Sequence, residues 1–157
     1  MDQAANIAVI PATAAHAADL APRMRQADRD EVMAATGSTP LEALLTSLSA
    51  TPDALTGTVD SRPVCMFGVS AASLLDDIGA PWLLGSDDLP LHAVPFLRRN
   101  KAYLATMRQR YSVMRNHVDA RNTVSIRWLR WLGFEIQEPR EYGPFGLPFH
   151  RFEMKSA

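Results

Sequence analysis

Four histidines and one cysteine are the side chains of this sequence that most readily do nucleophilic, acid–base or metal chemistry. The histidines are His16, His92, His117 and His150. They are scattered, and none stands at metal-ligand spacing from a second ligand. Cys65 lies in the apolar run 64–67, which is typical of a small buried hydrophobe and not of a reactive thiolate. We therefore expect no metal site and no catalytic thiol.

His117 and two carboxylate pairs are the remaining candidates for acid–base chemistry. His117 stands at the end of a predicted strand, close to Asp119. A lone histidine more often has a structural role. The alternative is that His117 faces a substrate cleft. The pairs Asp76–Asp77 and Asp87–Asp88 could do acid–base work, but solvated turn residues are the favoured interpretation. The sequence has no nucleophile elbow, P-loop or dinucleotide-binding fingerprint.

Charge is divided unevenly along the chain. Nine basic residues and one acidic residue lie between Arg98 and Arg130, whereas residues 1–97 hold four basic and twelve acidic ones. One interpretation is two solvated faces of opposite sign. Another is that the basic face binds anions, an acidic partner or nucleic acid. The net charge of −1 makes nucleic acid the less favoured ligand. Self-association of acidic and basic faces, head to tail, fits the asymmetry better.

Length and composition predict one compact domain over residues 1–157. Hydrophobic residues make up 47% and charged residues 21%, both ordinary for a globular protein. The sequence contains no run of 18 apolar residues, which is the length that a membrane-spanning helix would need. We therefore expect no membrane association. The N-terminus carries Asp2 and Pro11 and lacks a basic segment, which argues against a signal peptide. We expect the protein to act in the cytoplasm in which it is made.

Hydrophobic patterning predicts an α/β (α+β) domain, in which helices flank a mixed central sheet of about six to seven strands. Pro22 should split or kink the first helix, and a loop rich in glycine and proline should join the last two strands. The predicted strands are 7–10, 54–59, 64–70, 80–84, 112–118, 134–136 and 149–154. The predicted helices are 13–24, 29–35, 39–48, 90–111 and 122–132.

The segment Asn122–Phe134, NTVSIRWLRWLGF, resembles the late helix of the GNAT N-acetyltransferases. In that family an asparagine often precedes a helix that ends in Leu-Gly-Phe. The order of strands and helices is also similar along nearly the whole chain. The resemblance implies a single GNAT-like domain.

A closer similarity, over residues 80–137, is to GNAT-like proteins of short-tailed bacteriophages, some of them internal virion or virion-assembly proteins. The shared features are the segment Pro81–Asp88, PWLLGSDD, the basic helix that follows it, and residues 122–134. This resemblance implies a phage protein of the host cytoplasm that can be incorporated in the virion. It also implies other virion proteins as partners.

Two departures from the acetyltransferase pattern indicate a catalytically degenerate protein, acting as a virion structural or assembly component. The family holds the CoA pyrophosphate with a glycine-containing loop at the start of the central helix. Here residues 89–101 contain no glycine, and Pro90 and Pro95 lack a backbone N–H. Many members use a tyrosine four residues before the late glycine as general acid. Counting back from Gly133 gives Leu129, which cannot donate a proton.

The alternative is an acetyl-CoA-dependent N-acetyltransferase with a divergent CoA site. Arg98, Arg99 and Lys101 would then replace the backbone donors at the phosphates. Asn122 would contact the pantetheine arm, and Ser125 would belong to the same site. No residue is assigned as the general base.

Overall fold

Residues 4–73, 75 and 77–156 are described by the computed structural model, and they form one sheet with helices on both faces. The strands are β1 (Ile7–Pro11), β2 (Leu55–Val59), β3 (Arg62–Ser73), β4 (Ile78–Gly85), β5 (Val113–Asp119), β6 (Glu135–Ile136), β7 (Arg140–Tyr142) and β8 (Leu147–Lys155). The helices are α1 (Ala14–Leu20), α2 (Gln26–Thr36), α3 (Pro40–Ser49), α4 (Ala93–Met107) and α5 (Thr123–Leu132). Leu74 and Asp76, parts of a predicted turn and a predicted carboxylate pair, lie outside the described residues.

The predicted fold class is confirmed. The sheet runs in the order β1-β2-β3-β4-β5-β8-β6, and β7 pairs with β8 off this path. The described residues thus form eight strands, against the six to seven expected. The additional strand is β7, which lies in the stretch predicted to be a loop. It was missed because it has three residues and borders Gly143 and Gly146, whose φ angles of 79° and 64° form the turn into β8.

Prolines divide two of the predicted helices. The helix expected over 90–111 is a 3₁₀ turn at Leu89–His92 followed by α4, which ends at Met107. Pro95 lies in the first turn of α4, where its missing N–H has no intrahelical partner to lose. Pro22 lies in the 3₁₀ turn Ala21–Arg23 that ends α1, as the sequence predicts.

The two central strands, β4 and β5, separate after a short contact. They pair in parallel only at Ile78 with Val113 and Gly79 with Met114. Beyond that point the Asn116 side-chain amide spans the gap and donates to the Pro81 carbonyl at 2.9 Å. The core is divided in the same way: one cluster packs α4 and α5 onto β5 and β8, and another packs α1–α3 onto β3 and β4. The separation therefore opens a cleft in the middle of the sheet.

Candidate ligand-binding cleft

A cavity of about 350 Å³ occupies the space between the separated strands. It reaches from α2 and α3 on one side of the sheet to α4 and α5 on the other. Apolar side chains form much of its wall, among them Trp82, Leu97, Leu104, Trp128 and Leu129. Polar side chains that line it include Glu31, Asn100, Asn116, His117 and Ser125. A wall of this mixed character is typical of a small-molecule site.

The open edge of β4 is partly covered by the start of α2. The Gly85 carbonyl accepts a bond from the Arg25 backbone N–H at 2.8 Å, and the Gly85 N–H donates to Asp28 Oδ2 at 2.9 Å. Alternate residues of a strand present their backbone groups to the same edge. Leu83 therefore faces the cleft between Gly85 and Pro81, whose carbonyl is taken by Asn116. Among the described residues of this edge, Leu83 keeps its N–H and carbonyl for an extended ligand.

Asn122, the N-cap of α5, ties that helix to α2. Its side chain is 2% exposed. Its Oδ1 accepts from Arg25 Nη2 at 3.1 Å and from the Ser125 N–H at 3.4 Å, and its Nδ2 donates to Asp28 and Glu31, each at 3.3 Å. Both ends of the amide are thus bonded inside the protein. Asn122 is not a wall residue of the cleft, so the expected contact with a pantetheine arm stays a prediction.

Glu31 brings a carboxyl group to the cleft between the ends of β4 and β5. Its Oε1 accepts the backbone N–H of Asp119 at 2.8 Å as well as the Asn122 amide. Removal from water, reinforced by the nearby Asp28 carboxylate, raises the pKa of Glu31 to about 8. The group is therefore mostly protonated at neutral pH.

Arg25 is the buried cation of this cluster, 5% exposed. Its guanidinium carbon lies 5.1 Å from the centre of the Trp128 ring, and its Nη1 is 3.9 Å from Asp28 Oδ1. The Nη1 atom has no hydrogen-bond partner among the described residues. Arg25 is therefore a buried cation behind the Trp128 wall of the cleft, held mainly by Asn122, Asp28 and the aromatic face of Trp128.

His117 of β5 faces the cleft, which is the alternative that the sequence left open. Its ring stacks on that of Tyr142 with centroids 4.0 Å apart and planes at 13°. Burial lowers the pKa of His117, and the positive charges of Arg151 and Arg115 lower it further. The imidazole is accordingly neutral at neutral pH and can accept a proton. Cys65, by contrast, is buried as its apolar run predicts, and burial raises the pKa of its thiol to about 12.

The residues expected at the CoA phosphates lie outside the cleft wall. Arg98, Arg99 and Lys101 are exposed on α4, and the Lys101 Nζ is 4.8 Å from the centre of the Trp131 ring on α5. Ser125, expected in the same site, does line the cleft. The resemblance implied that these four residues belong to one site. In the structure, only Ser125 lies at the opening between the strands.

The segment that enters α4 is acidic and apolar. Asp87 is exposed beside Asp88, and Leu91 and Val94 are 77% and 57% exposed. Pro90 and Pro95 have no backbone N–H to donate to an anion, and Asp87 and Asp88 would repel one. Residues 86–96 therefore disfavour anion binding. Leu129 lines the cleft at the position where the resemblance implies a tyrosine. The two departures from the acetyltransferase pattern that the sequence indicated thus fall, among these described residues, at the entry to α4 and in the wall of the cleft.

Several residues of the site carried no clear signal in the sequence. Glu31 and Arg25 are examples, because their burial depends on β5 and α5, which come about 90 residues later. The spacing of Arg25 and Asp28, one helical turn apart, was the only local hint of a pair.

Solved structures superpose on nearly the whole chain, and several of them are described as acetyltransferases. Ard1 from Thermoplasma volcanium superposes with a TM-score of 0.75 at 16% identity, over 96% of this chain and 98% of that one. An acetyltransferase of the GNAT family from Streptococcus pneumoniae gives 0.67 at 11%, over 97% and 100%. The yncA protein of Salmonella typhimurium, whose structure includes its cofactor acetyl-CoA, gives 0.64 at 15%, over 96% and 94%. The chain therefore has the GNAT fold.

No protein-family model matches the chain, and no curated protein matches it. None of the described helices combines the length and the apolar composition that a membrane-spanning segment needs.

Proposed function

We propose that the protein is an N-acyltransferase of the GNAT type, which uses an acyl-CoA thioester and transfers the acyl group in the cleft between β4 and β5. The observation that carries this proposal is that the cleft is open, at about 350 Å³, and holds a neutral imidazole. In a protein that keeps the fold only as a scaffold, side chains that filled this cleft would stabilise the protein through closer packing. An open cleft in the middle of the sheet therefore favours a binding role.

The two ends of acyl-CoA fit this chain differently. The acyl-pantetheine end fits, because the cleft is largely apolar and Leu83 presents a backbone N–H and carbonyl to an amide-containing arm. The phosphate end finds no backbone cradle at the start of α4. In this proposal Arg98, Arg99 and Lys101 hold the phosphates through their side chains, in place of backbone N–H groups.

His117 has the clearest chemical role. When bound, the thioester supplies an acyl carbonyl that is already activated towards an amine. The neutral His117 imidazole takes the proton from the attacking amine. Glu31 binds the backbone at the end of β5, and Asn122 caps α5. In this proposal these bonds fix the position of β5, so that the imidazole faces the cleft. Leu129 supplies no proton, and we therefore expect slow turnover compared with a site that contains an acid.

Calorimetric titration with acetyl-CoA at modest salt tests the proposal. We expect micromolar binding that weakens about tenfold or more in a double variant, Arg98→Glu with Lys101→Glu, because charged contacts to phosphate are replaced by repulsion. Arg62→Glu, on an exposed strand end away from α4, is the control and makes one such charge reversal; it is compared with Arg98→Glu alone as well as with the double variant. Absence of binding at millimolar acetyl-CoA would refute the proposal.

A second candidate is the virion structural or assembly role, favoured by the entry to α4. Asp87, Asp88 and the two prolines disfavour an anion where the fold would present one, and exposed Leu91 and Val94 suit a protein contact. In this role the chain is a phage protein made in the host cytoplasm, and its partners are virion proteins or further copies of itself. Mass spectrometry of purified particles and assembly intermediates tests it, and absence from both would count against it.

A further inference from the structure

A second cavity, of about 260 Å³, adjoins the cleft at β7 and β8. His117 and Tyr142 line both cavities, so their stacked rings lie where the two cavities meet. Phe149, which lines the second cavity, packs against Tyr142 with ring centroids 5.1 Å apart. A molecule in the second cavity would therefore lie against the imidazole that faces the cleft.

Two cations, Arg140 and Arg151, line the second cavity, and Arg151 is the one on the strand that pairs with β5. The β5–β8 register places Arg151 directly opposite His117. Opposite residues of an antiparallel pair project from the same face, with Cβ atoms about 5 Å apart. The positive charge of Arg151 also lowers the pKa of His117, as expected of close neighbours.

The Arg151 guanidinium has unused donors. Its Nε donates to Gln137 Oε1 at 3.1 Å. Among the described residues, no carboxylate lies within ion-pair distance of it. Arg115, two residues from His117 on the same face, differs in this respect, because Glu153 lies 3.7 Å from its Nη1. Arg151 is thus a cation in the cavity wall, whose Nε is held by Gln137 and whose remaining N–H groups can bind a ligand.

We propose that this second cavity binds the acyl acceptor, and that the acceptor is a free α-amino acid whose carboxylate pairs with Arg151 while its amine meets His117. A guanidinium recognises a carboxylate through two parallel hydrogen bonds. In an α-amino acid the amine is one carbon away from the carboxylate, which matches two side chains that are direct cross-strand neighbours. Glu138 and Glu141 also line the cavity, and their charges disfavour acceptors with a second anionic group.

The transfer itself rests on the proposed function, whereas the binding of the amino acid does not. A nitrogen–carbon bond forms as the carbon–sulfur bond of the thioester breaks. His117 takes one proton from the amine, and the released thiolate gains one, so the sum is an N-acyl amino acid and a thiol. Arg151 holds the acceptor and does not exchange a proton.

Ligand-observed NMR with the full chain and no acyl donor tests the inference. The probes are the common L-amino acids and, separately, their amides, which keep the amine and lack the carboxylate. We expect saturation transfer to at least one amino acid and not to its amide. Arg151→Gln should weaken that binding about 10- to 100-fold, the usual loss for a charged hydrogen-bonded pair. Arg151→Lys should recover part of it.

Arg115→Gln is the matched control, because it removes the same charge from the same face and should leave amino-acid binding unchanged. A thermal melt of each variant confirms that it is folded. Three results would overturn the inference: no amino acid binds at millimolar concentration, amides bind as well as acids, or Arg115→Gln weakens binding as much as Arg151→Gln. Failure of acetyl-CoA binding, measured separately, would remove the proposed transfer and not the amino-acid site.

Discussion

The Glu31 carboxyl should make the folded protein less stable as the pH rises. Its pKa is raised to about 8 in the folded state, against 4.5 when it is free in water. The folded protein therefore holds this proton over a pH range in which the unfolded chain has lost it. By linkage, stability falls as the pH increases from about 4.5 to 8 and changes no further above that range. Glu31→Gln, a neutral group of the same shape, removes this dependence.

The size of the effect follows from the shift. One pKa unit corresponds to about 1.4 kcal/mol, so the full shift sets an upper bound of about 5 kcal/mol. Glu31 is partly exposed, and solvent screening reduces the expected gain to about 2 kcal/mol. The glutamine Oε1 can still accept the Asp119 N–H and the Asn122 amide. We therefore expect Glu31→Gln to match the wild type near pH 5 and to exceed it by about 2 kcal/mol near pH 9.

Urea unfolding of both proteins across this pH range measures the difference. Asp30→Asn is the control, since it removes a carboxylate from the next position of α2, where the side chain is exposed. It should show no gain that appears only at high pH. A Glu31→Gln protein that is no more stable than the wild type at pH 9 would refute the reasoning, and so would a difference that is the same at pH 5 and pH 9.

Three further substitutions test the site and its supports. Asn122→Ala should cost about 3 kcal/mol in urea unfolding, because it leaves buried partners on α2 unpaired. Gly143→Ala should also destabilise the fold, by about 2 kcal/mol, since residue 143 has φ 79° and a Cβ there would meet the Ala34 carbonyl oxygen. Leu129→Tyr should raise the rate of thiol release from acetyl-CoA about tenfold or more by restoring a proton donor, with little change in acetyl-CoA affinity. An unchanged rate would show that proton donation is not limiting.

Local signals predicted much of the architecture. Thr39 with Pro40 marks the start of α3, and Glu42 completes the capping box. Gly133, at φ 103°, ends α5 as its position after Leu132 predicts. The hairpin predicted around 60–63 turns at Asp60 and Ser61, both with positive φ, and β3 begins at Arg62. Each of these features depends on neighbours in sequence, so the sequence alone was enough to place them.

The site was harder to predict because its residues meet across the sheet. Nothing local to Glu31 indicates that β5 ends beside it, and nothing local to Arg151 indicates that His117 lies opposite. The resemblance drew attention to Asn122, whose neighbours in space use its amide completely. The openness of the cleft depends on where β4 and β5 stop pairing, which no spacing in the sequence encodes.

Because β4 and β5 pair only briefly, hydrogen exchange of one amide, that of Leu83, should show whether a ligand is bound in the cleft. The Leu83 amide hydrogen faces the opening, while the amide hydrogens of its neighbours point into the β3–β4 ladder. In the free protein it should exchange with deuterium early, because no partner strand covers it. A ligand that lies along this edge would cover that one amide before any other in β4. Its exchange rate would then distinguish a molecule that occupies the cleft from one that only touches the basic surface of α4.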